Sequence, residues 1–406
     1  MSVTSAMQAG VSGLLTNGEA ISVIGNNLAN VSTTGFKEGK TLFSDLLSTS
    51  INNGQIGCGS QVQGVQNVFS QGTLVSTGSA TDLAIQGDAM FVLQGANSTQ
   101  QYYSRAGSFA FNNNSILTDP SGNEVLGYGM SNMITGTSNG VLGTIDLANF
   151  STMAPKATGT LSLSANLDSA SSPPAATWDP SQANFDPTAA SNFSTSATVY
   201  DAQGDAKSLT MYFANTGANT WDLYTYDGTN YTAAGAGTQL TFDPSSGALT
   251  NPNPATISTN GMTVDLTGTT QFATASSVSS QTQDGYAAGN ETGVSIDSKG
   301  VVNVQYSNSQ IQKIAQVALA TFASPTGLES MGGNLYSATT TSGAALINNT
   351  SNLSNNTIAS SSLEQSNVDL GDQLTQLITV QQAYEANSKT ITTADEMMQD
   401  VLNVIK

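Results

Sequence analysis

Apolar and small side chains recur at alternating four-residue and three-residue steps along the C-terminal segment. They form a seam of about five heptads, which predicts an amphipathic helix from about 367 to 404. Ser366, followed three residues later by Asp369, resembles a capping box at its start. A seam this long favours a partner helix, and packing on the core of its own domain is the alternative. The seam comprises Leu370, Leu374, Leu377, Gln381, Tyr384, Ser388, Ile391, Asp395, Met398, Leu402 and Ile405.

The N-terminal segment has the same spacing and predicts the partner helix. Its stripe comprises Met7, Val11, Leu14, Gly18, Ile21, Gly25 and Leu28. Glycines at 10, 13, 18 and 25 each cost about 1 kcal/mol relative to alanine, so this helix is expected to be stable only when packed. Glu19 is the sole charged side chain between residues 1 and 36, which leaves nearly every face free for burial.

Past Gly72 the apolar period changes to two, which predicts β-strands. Turn sequences such as those ending at Gly122 and Gly300 separate them, so the middle of the chain is expected to be antiparallel β. Long loops or poorly packed surface are expected at about 169–194 and 251–259. The alternating residues are Leu83 and Ile85, Phe91 and Leu93, Phe109 and Phe111, Leu209, Met211 and Phe213, Trp221 and Leu223, Val302, Val304 and Tyr306, and Val317 and Leu319.

Charge is the abnormal part of the composition. Charged residues make up 9% of the 406-residue chain, against about 25% in ordinary domains, and the formal net charge is -19. A surplus of negative charge with one arginine, Arg105, makes nucleic acid and anionic membranes poor partners. No stretch is apolar enough for a membrane span. The first lysine is Lys37, so no cleaved signal peptide is expected.

Catalytic and metal chemistry find little support in the sequence. The chain has no histidine, which excludes Ser-His-Asp nucleophile systems and histidine metal ligands. The Asp201–Asp205 segment lacks the spacing of a calcium loop and is expected to be a hairpin turn. Carboxylate pairs such as Asp82 with Asp88 could serve a glycosidase, but nothing positions them. Cys58 is either a buried small residue or an exposed thiol, and no cofactor is expected.

Two stretches combine fixed residues with the helical phase of the termini. Residues 25–37 read GNNLANVSTTGFK, and residues 362–370 read SLEQSNVDL, followed by QQAYEAN at 381–387. Together they closely resemble the terminal signatures of the bacterial flagellar rod and hook protein family. Internal stretches at 82–88, 103–107, 318–322 and 334–336 are similar to its hook members. The residues that carry the signatures are Asn26, Asn27, Leu28, Ala29, Asn30, Gly35, Phe36, Lys37, Ser366, Asn367, Val368 and Asp369.

The resemblance implies a structural subunit, not an enzyme, that assembles with copies of itself into a flexible helical tube. Further partners implied are the distal rod protein, the hook cap, the hook–filament junction proteins and the flagellar type III export apparatus, with an extracellular location at the basal-body hook. The large β insertion favours a hook member. A distal rod protein, a secreted β-rich adhesin and a glycan-acting enzyme stay open as alternatives.

The expected fold class is mainly β with α-helical termini, with nested β domains plus an N/C-terminal coiled coil of helices. Residues 1–36 with 362–406 are assigned to a terminal helical inner-core domain, and 37–70 with 358–361 to an extended connector. An inner β domain takes 71–145 with 285–357, and an outer inserted β domain takes 146–284. The self-assembly residues predicted are Met7, Val11, Leu14, Ile21, Leu28, Leu370, Leu374, Leu377, Tyr384, Ile391, Met398, Leu402 and Ile405.

Overall fold

The computed structural model describes residues 3–46, 49–51, 54–56, 59–96, 98–259, 261–350 and 356–404. Within them two helices, α1 (Val3–Ala29) and α2 (Leu370–Val404), enclose a chain made mostly of short strands. The predicted fold class, mainly β with helical termini, is confirmed. Cys58 and Ile405 lie outside the described residues.

The strands fall into three groups along the chain. The first group is β1 (Gly39–Asp45), β2 (Thr49–Ile51), β3 (Gly54–Ile56), β4 (Ser60–Asn67), β5 (Leu74–Ser76), β6 (Leu83–Gln86), β7 (Met90–Gln94), β8 (Gln101–Ser104), β9 (Ala110–Phe111), β10 (Leu117–Thr118), β11 (Glu124–Asn132) and β12 (Thr137–Thr144). The second is β13 (Thr152–Met153), β14 (Thr160–Asp168), β15 (Phe193–Tyr200), β16 (Ala206–Gly217), β17 (Thr220–Tyr226), β18 (Thr238–Phe242), β19 (Leu249–Asn251), β20 (Thr256–Thr259), β21 (Met262–Asp265), β22 (Thr270–Phe272) and β23 (Ser277–Gln283). The third is β24 (Gly289–Ile296), β25 (Val301–Tyr306), β26 (Ile311–Val317), β27 (Leu319–Thr321), β28 (Glu329–Gly332), β29 (Leu335–Ser337), β30 (Leu346–Asn348), β31 (Thr357–Ser360) and β32 (Ser362–Glu364).

The chain divides into two compact units. The first consists of Met1–Asn149, Gly293–Gln305 and Ile311–Lys406, and the second of Phe150–Thr292 and Tyr306–Gln310. Both helices therefore belong to the first unit.

Strand β7 lies at the centre of the first unit's β structure. It pairs antiparallel with β8, β11 and β27, and its side chains Met90 and Val92 are buried in a core with Leu126 and Ala318. Near the end of the chain, β31 pairs with β6 and β32 with β5. The C-terminal strands therefore close onto strands that come early in the sequence.

The second unit contains two sheets that share one hydrophobic core. One sheet runs β15-β16-β17-β18-β19, and in the other β14 pairs with β21, β22 and β23. Trp221, Phe213 and Leu223 from the first sheet and Leu161 and Leu163 from the second are buried together. Alternate residues of each strand face this core, as the period of two predicts.

The pairing of β14 differs from the expected antiparallel pattern. It pairs antiparallel with β23 but parallel with β21 and β22. Parallel neighbours need a long crossover connection, and here the chain builds the whole β15–β19 sheet before it returns beside β14.

The connector segment contains a paired ribbon. It was expected to be extended, and its strands β1 and β4 pair along their whole length, from Gly39 opposite Asn67 to Asp45 opposite Ser60. The ladder shifts register between Leu42 and Phe43, and this bulge interrupts the period of two that would have marked a strand.

Helix α2 begins slightly later than its predicted start. The carboxylate of Asp369 accepts hydrogen bonds from the backbone N–H groups of Gly371 (2.7 Å) and Asp372 (3.2 Å). Asp369 is therefore the N-cap, the position that the capping-box prediction gave to Ser366.

Candidate assembly site

Helices α1 and α2 approach each other through small residues of α1. A Cβ atom added at Gly10 would stand 2.9 Å from Cγ1 of Ile391, and one at Gly13 would stand 2.5 Å from Nδ2 of Asn387. Residue numbers rise along α1 as they fall along α2, so the helices run antiparallel. The glycines that weaken α1 as an isolated helix allow this close contact.

Within the single chain, the contact between the helices is not made by the two predicted heptad stripes. Met7 and Val11 are 40% and 42% exposed, whereas the buried face of α1 is displaced by about one residue and includes Thr16, Ala20 and Ile24. A close helix contact selects the face with the smallest side chains, and the larger apolar ones are left outside. Of the predicted residues, the half-buried ones are Leu14, Ile21, Leu28, Leu377 and Ile391, and the exposed ones are Met7, Val11, Leu370, Leu374, Tyr384, Met398 and Leu402.

A second side of α1 packs on the ribbon formed by β1 and β4. The Ser12 hydroxyl accepts a hydrogen bond from the backbone N–H of Ser60 (3.3 Å), and the Thr16 and Ser60 hydroxyls are 3.2 Å apart. Gly59 lies against Ser12 with no room for a side chain. Two sides of α1 are thus used within the chain.

Amide side chains connect the end of α1 to the start of α2. The Asn27 amide donates to the Gly39 carbonyl (2.8 Å) and to Gln373 Oε1 (3.0 Å), and its oxygen accepts from the Gly39 N–H (2.9 Å). Gln373 in turn donates to Glu38 Oε1 (2.9 Å). Asn27 and Gln373 are each 1% exposed, so this polar contact is fully buried and satisfied.

Asn367 makes the same kind of connection just before α2. Its side-chain oxygen accepts from the Glu38 N–H (2.7 Å), and its amide donates to the Val68 carbonyl (2.8 Å) and the Ser70 hydroxyl (2.9 Å). Both strands of the β1–β4 ribbon are therefore tied to the C-terminal segment at the end where Gly39 lies opposite Asn67.

Three buried charges lie beside these amides. Lys37 Nζ is 2.6 Å from Glu364 Oε1 and donates to the Ser70 carbonyl (2.8 Å). Arg105 approaches the other oxygen, with NH1 3.5 Å from Oε2, and the Gly72 N–H donates to Oε1 (2.8 Å). The three charged side chains are at most 1% exposed. The Glu364 carboxylate is therefore the counter-charge of both Lys37 and Arg105.

Burial governs the electrostatics of this group. Desolvation lowers the pKa of Lys37 and that of Arg105, and the negative charge of Glu364 opposes both shifts. Desolvation also raises the pKa of Tyr336 to about 12, while the nearby Arg105 acts in the opposite direction. A low-dielectric interior disfavours the charged form of each side chain, which explains why the pKa values of Lys37 and Arg105 fall and that of Tyr336 rises.

Gly35 is required where the N-terminal segment passes Arg105. Its φ is +69°, and a side chain there would collide with the backbone of Ala106. Its N–H donates to the Glu364 carbonyl (2.8 Å), and the carbonyl of the preceding Thr34 accepts from the Asn334 amide (2.8 Å). The segment is therefore held from both sides.

We call the group formed by these polar contacts the terminal junction; its side chains are buried except that of Asn367, which is half-buried. The sequence marks three of its side chains as signature residues, Asn27, Lys37 and Asn367. Glu364 and Arg105 lie in stretches that resemble the family but were not singled out as site residues, and Gln373 lies in none of these stretches. The signal for Arg105 was present, since it is the sole arginine of a charge-poor chain. The members of the terminal junction are Asn27, Lys37, Arg105, Glu364, Asn367 and Gln373.

The other signature residues lie around the junction and not within it. Asn30 bonds the Asn26 carbonyl on the exposed side of α1 (3.0 Å), and Val368 is buried. Phe36 lines a groove of about 520 Å³ beside α1. Leu28 is half-buried, and Ala29 is exposed at the end of the helix.

Neither described helix is long and apolar enough to cross a bilayer. The described part of the chain contains no group of three or more acidic, histidine or cysteine side chains placed to hold a metal ion.

Family models match four parts of the chain. Residues 7–37 match a flagella basal body rod protein model, and residues 84–162 match the flagellar hook protein FlgE/F/G D1 domain. Residues 166–286 match the flagellar basal body protein FlaE D2 domain, and residues 359–404 match the C-terminal model of flagellar basal body rod FlgEFG proteins.

Full-length relatives decide the family. The chain is 35% identical to the flagellar hook protein FlgE of Escherichia coli (strain K12), with 97% of this chain and 98% of that protein covered. The chain belongs to the flagellar hook protein family. The hook protein of Rhizobium meliloti (strain 1021) is 33% identical to this member of the family, with both chains covered completely.

A solved hook structure supports the fold. The crystal structure of Helicobacter pylori flagellar hook protein FlgE2 aligns with a TM-score of 0.53 and 15% identity, and covers 72% of this chain and 100% of that chain. The resemblance to the flagellar rod and hook family that the sequence indicated is thereby confirmed. Membership in the hook family implies assembly with other flagellar components at the hook.

Proposed function

We propose that the chain is a structural subunit of the flagellar hook, which polymerises into a flexible helical tube and transmits torque from the rod to the filament. The full-length hook relatives support this role. The structural observation that carries it is the apolar surface left on the helix pair. Leu15 and Ile378 are 66% and 56% exposed although both helices already pack within the chain. Large apolar side chains left exposed on helices that are already packed within the chain are typical of a protein–protein interface.

The occupant of this surface is a second copy of the chain. Met7, Val11 and Leu15 border an apolar depression of about 450 Å³ on α1, and Leu370, Leu374 and Tyr384 are exposed on α2. A head-to-tail contact repeated without closure gives a helical tube. The predicted self-assembly residues that the helix pair leaves exposed therefore serve contacts between subunits, and the half-buried ones, Leu377 and Ile391, support the pair itself.

Polymerisation of purified chain tests this role. Leu374→Asp places a charge on the exposed apolar surface and is expected to abolish tubes in electron micrographs, because a buried unpaired charge opposes contact between subunits. Gln376→Asp is the matched control, since it adds the same charge at an exposed polar position of the same helix. Normal tubes from Leu374→Asp, or no tubes from the natural chain, would contradict the proposal.

The finer organisation follows from the same role. We assign 1–36 with 362–406 to the inner core of the tube, 71–145 with 285–357 to an inner β domain and 146–284 to an outer β domain. The proposed partners are the distal rod protein, the hook cap, the hook–filament junction proteins and the type III export apparatus. The proposed location is extracellular, without cleavage of a signal peptide. Mass spectrometry of the extracellular polymer is expected to find the N-terminal segment intact, and loss of about 20 residues would contradict this route.

A further inference from the structure

The Lys37–Glu364–Arg105 group is unusual for a chain with so few charges. The sequence holds nine lysine and arginine residues, and two of them are enclosed with one carboxylate. The two other ion pairs of the described chain, Lys156–Asp284 and Lys207–Asp201, are partly exposed. The burial of these three charges therefore needs its own explanation.

Stability alone is a poor explanation. Burying an ion carries a large desolvation cost, and apolar replacements of buried ion pairs are often neutral or stabilising. This group also has a surplus positive charge, and Nε of Arg105 lacks a hydrogen-bond partner. Asp88 attracts Arg105 from an exposed position, so it offsets the surplus weakly.

The three charges come from segments that are far apart in sequence. Lys37 follows α1, Arg105 follows β8, and Glu364 ends β32 directly before the C-terminal helix segment. Lys37 and Arg105 lie close enough that the positive charge of Arg105 opposes protonation of Lys37. Without Glu364, docking of the N-terminal segment would bring two like charges together in a buried site.

We propose that this group is a charge latch, in which repulsion between Lys37 and Arg105 keeps the N-terminal segment undocked until Glu364 on β32 supplies the counter-charge for both. Docking of the two chain ends is then mutually dependent. Because the helix pair needs both ends in place, the latch prevents an assembly surface from forming on one end alone. Its use in assembly rests on the proposed function.

Substitution of Glu364 tests the latch through the critical concentration for polymerisation. Glu364→Gln keeps the shape and leaves two buried cations, so the critical concentration is expected to rise at least tenfold. Glu329→Gln, the same change at an exposed carboxylate of the first unit, is the control and is expected to leave it unchanged. An unchanged critical concentration in Glu364→Gln would overturn the proposal.

A second substitution separates repulsion from simple loss of contacts. Lys37→Met removes one of the two cations, so adding it to Glu364→Gln is expected to restore the critical concentration to within about threefold of the natural value. If the ion pairs acted only as stabilising contacts, the critical concentration of the double variant would be higher still, because that variant has lost more bonds. A double variant no better than Glu364→Gln would overturn the latch.

The two proposals fail in different ways. If the natural chain forms no tubes, the hook function fails. If the natural chain polymerises and Lys37→Met does not relieve Glu364→Gln, the latch fails and the hook function stands. Amide exchange of β7, β8 and β11 in each variant reports that the first unit is still folded.

Discussion

Individual glycines of α1 act in opposite ways. Gly10 and Gly13 have side chains of α2 within van der Waals distance of the position a Cβ would take, whereas Gly18 and Gly25 have nothing within 4 Å. The first two permit the helix pair, and the last two only weaken the helix in the single chain. Their positions in sequence do not distinguish them, because all four lie in the same helical pattern.

Alanine substitutions are expected to separate these two kinds of glycine. Gly18→Ala should stabilise α1 by about 0.5–1 kcal/mol through helix propensity. Gly10→Ala should destabilise the helix pair, because its Cβ would press on Ile391 at 2.9 Å. Thermal melting followed by helical circular dichroism measures both. Shifts in the same direction would show that propensity, and not packing, governs both positions.

The carboxylate of Asp284 supports the second unit in a pH-dependent way. Desolvation raises its pKa, but the Lys156 ammonium and the N–H groups of Thr160 and Gly159 outweigh this and lower the pKa to about 2. A carboxyl with a depressed folded pKa contributes stability above its unfolded pKa of 3.8, and that stability is lost as the pH falls towards 2.

Asp284→Asn is therefore expected to destabilise the second unit at neutral pH. The loss is on the order of 1 kcal/mol, which is less than the pKa shift alone implies, since the side chain is 40% exposed. Urea unfolding at pH 7 and at pH 2 measures it, with exposed Asp205→Asn as control. A difference from the natural protein that persists undiminished at pH 2 would exclude this linkage.

At the scale of elements, the segment between β14 and β15 is more ordered than its composition predicts. It is a loop, which was one of the two expectations, but it is not poorly packed: Trp178 is 7% exposed and stacks on Tyr224 with ring centroids 4.3 Å apart. Its indole N–H donates to the Thr232 carbonyl (2.8 Å), and Phe185 packs edge-on against it. Contacts of the Trp178 and Phe185 rings thus hold in place a segment whose proline and serine content predicted poor packing.

Trp178→Ala is expected to destabilise the second unit by about 3 kcal/mol, because it removes a large buried ring and leaves a cavity. Trp178→Phe keeps the stacking surface and should cost less than half as much. Chemical unfolding followed by near-ultraviolet circular dichroism measures both variants. An effect of Trp178→Ala below about 0.5 kcal/mol would mean that the segment does not contribute to the fold.

At the scale of the whole molecule, the long segment of the second unit begins and ends at adjacent positions. The Glu291 N–H donates to the Ser151 carbonyl (3.0 Å), and Thr152 pairs with Asn290. Residues 152–290 are thus an insertion whose two ends are already close, and a short turn can replace them. The first unit contains both helices and the terminal junction without it.

Replacement of 152–290 by a short glycine turn is expected to leave tubes that assemble but are straighter or differently coiled, with impaired motility. Nearly uncharged β surfaces exchange polar contacts through water at small cost, which suits sliding between subunits. Electron microscopy and a swimming assay measure the outcome. Loss of all assembly would assign the second unit to the cohesive framework instead.

The sequence by itself determined the two terminal helices, the strands between them and the family signatures. These features depend on local periodicity, and periods of 3.6 and 2 are visible in a single chain because each reports which residues share a face. Asn27, Gly35 and Lys37 were recognised through the signature that contains them. The helix at 370–404 and the strand that contains Leu83 and Ile85 followed from the apolar periodicity.

Tertiary structure alone decided which faces meet. The heptad pattern marks Val11 and Leu14 as the apolar positions of α1. It does not show that Gly10 and Gly13, each one position earlier, make the contact with α2, because the distance between two helices depends on the size of the side chains on both. The ribbon, the parallel neighbours of β14 and the shared carboxylate of Glu364 likewise depend on residues far apart in sequence. Such long-range pairings produce no periodic pattern in the sequence, so only the three-dimensional structure shows them.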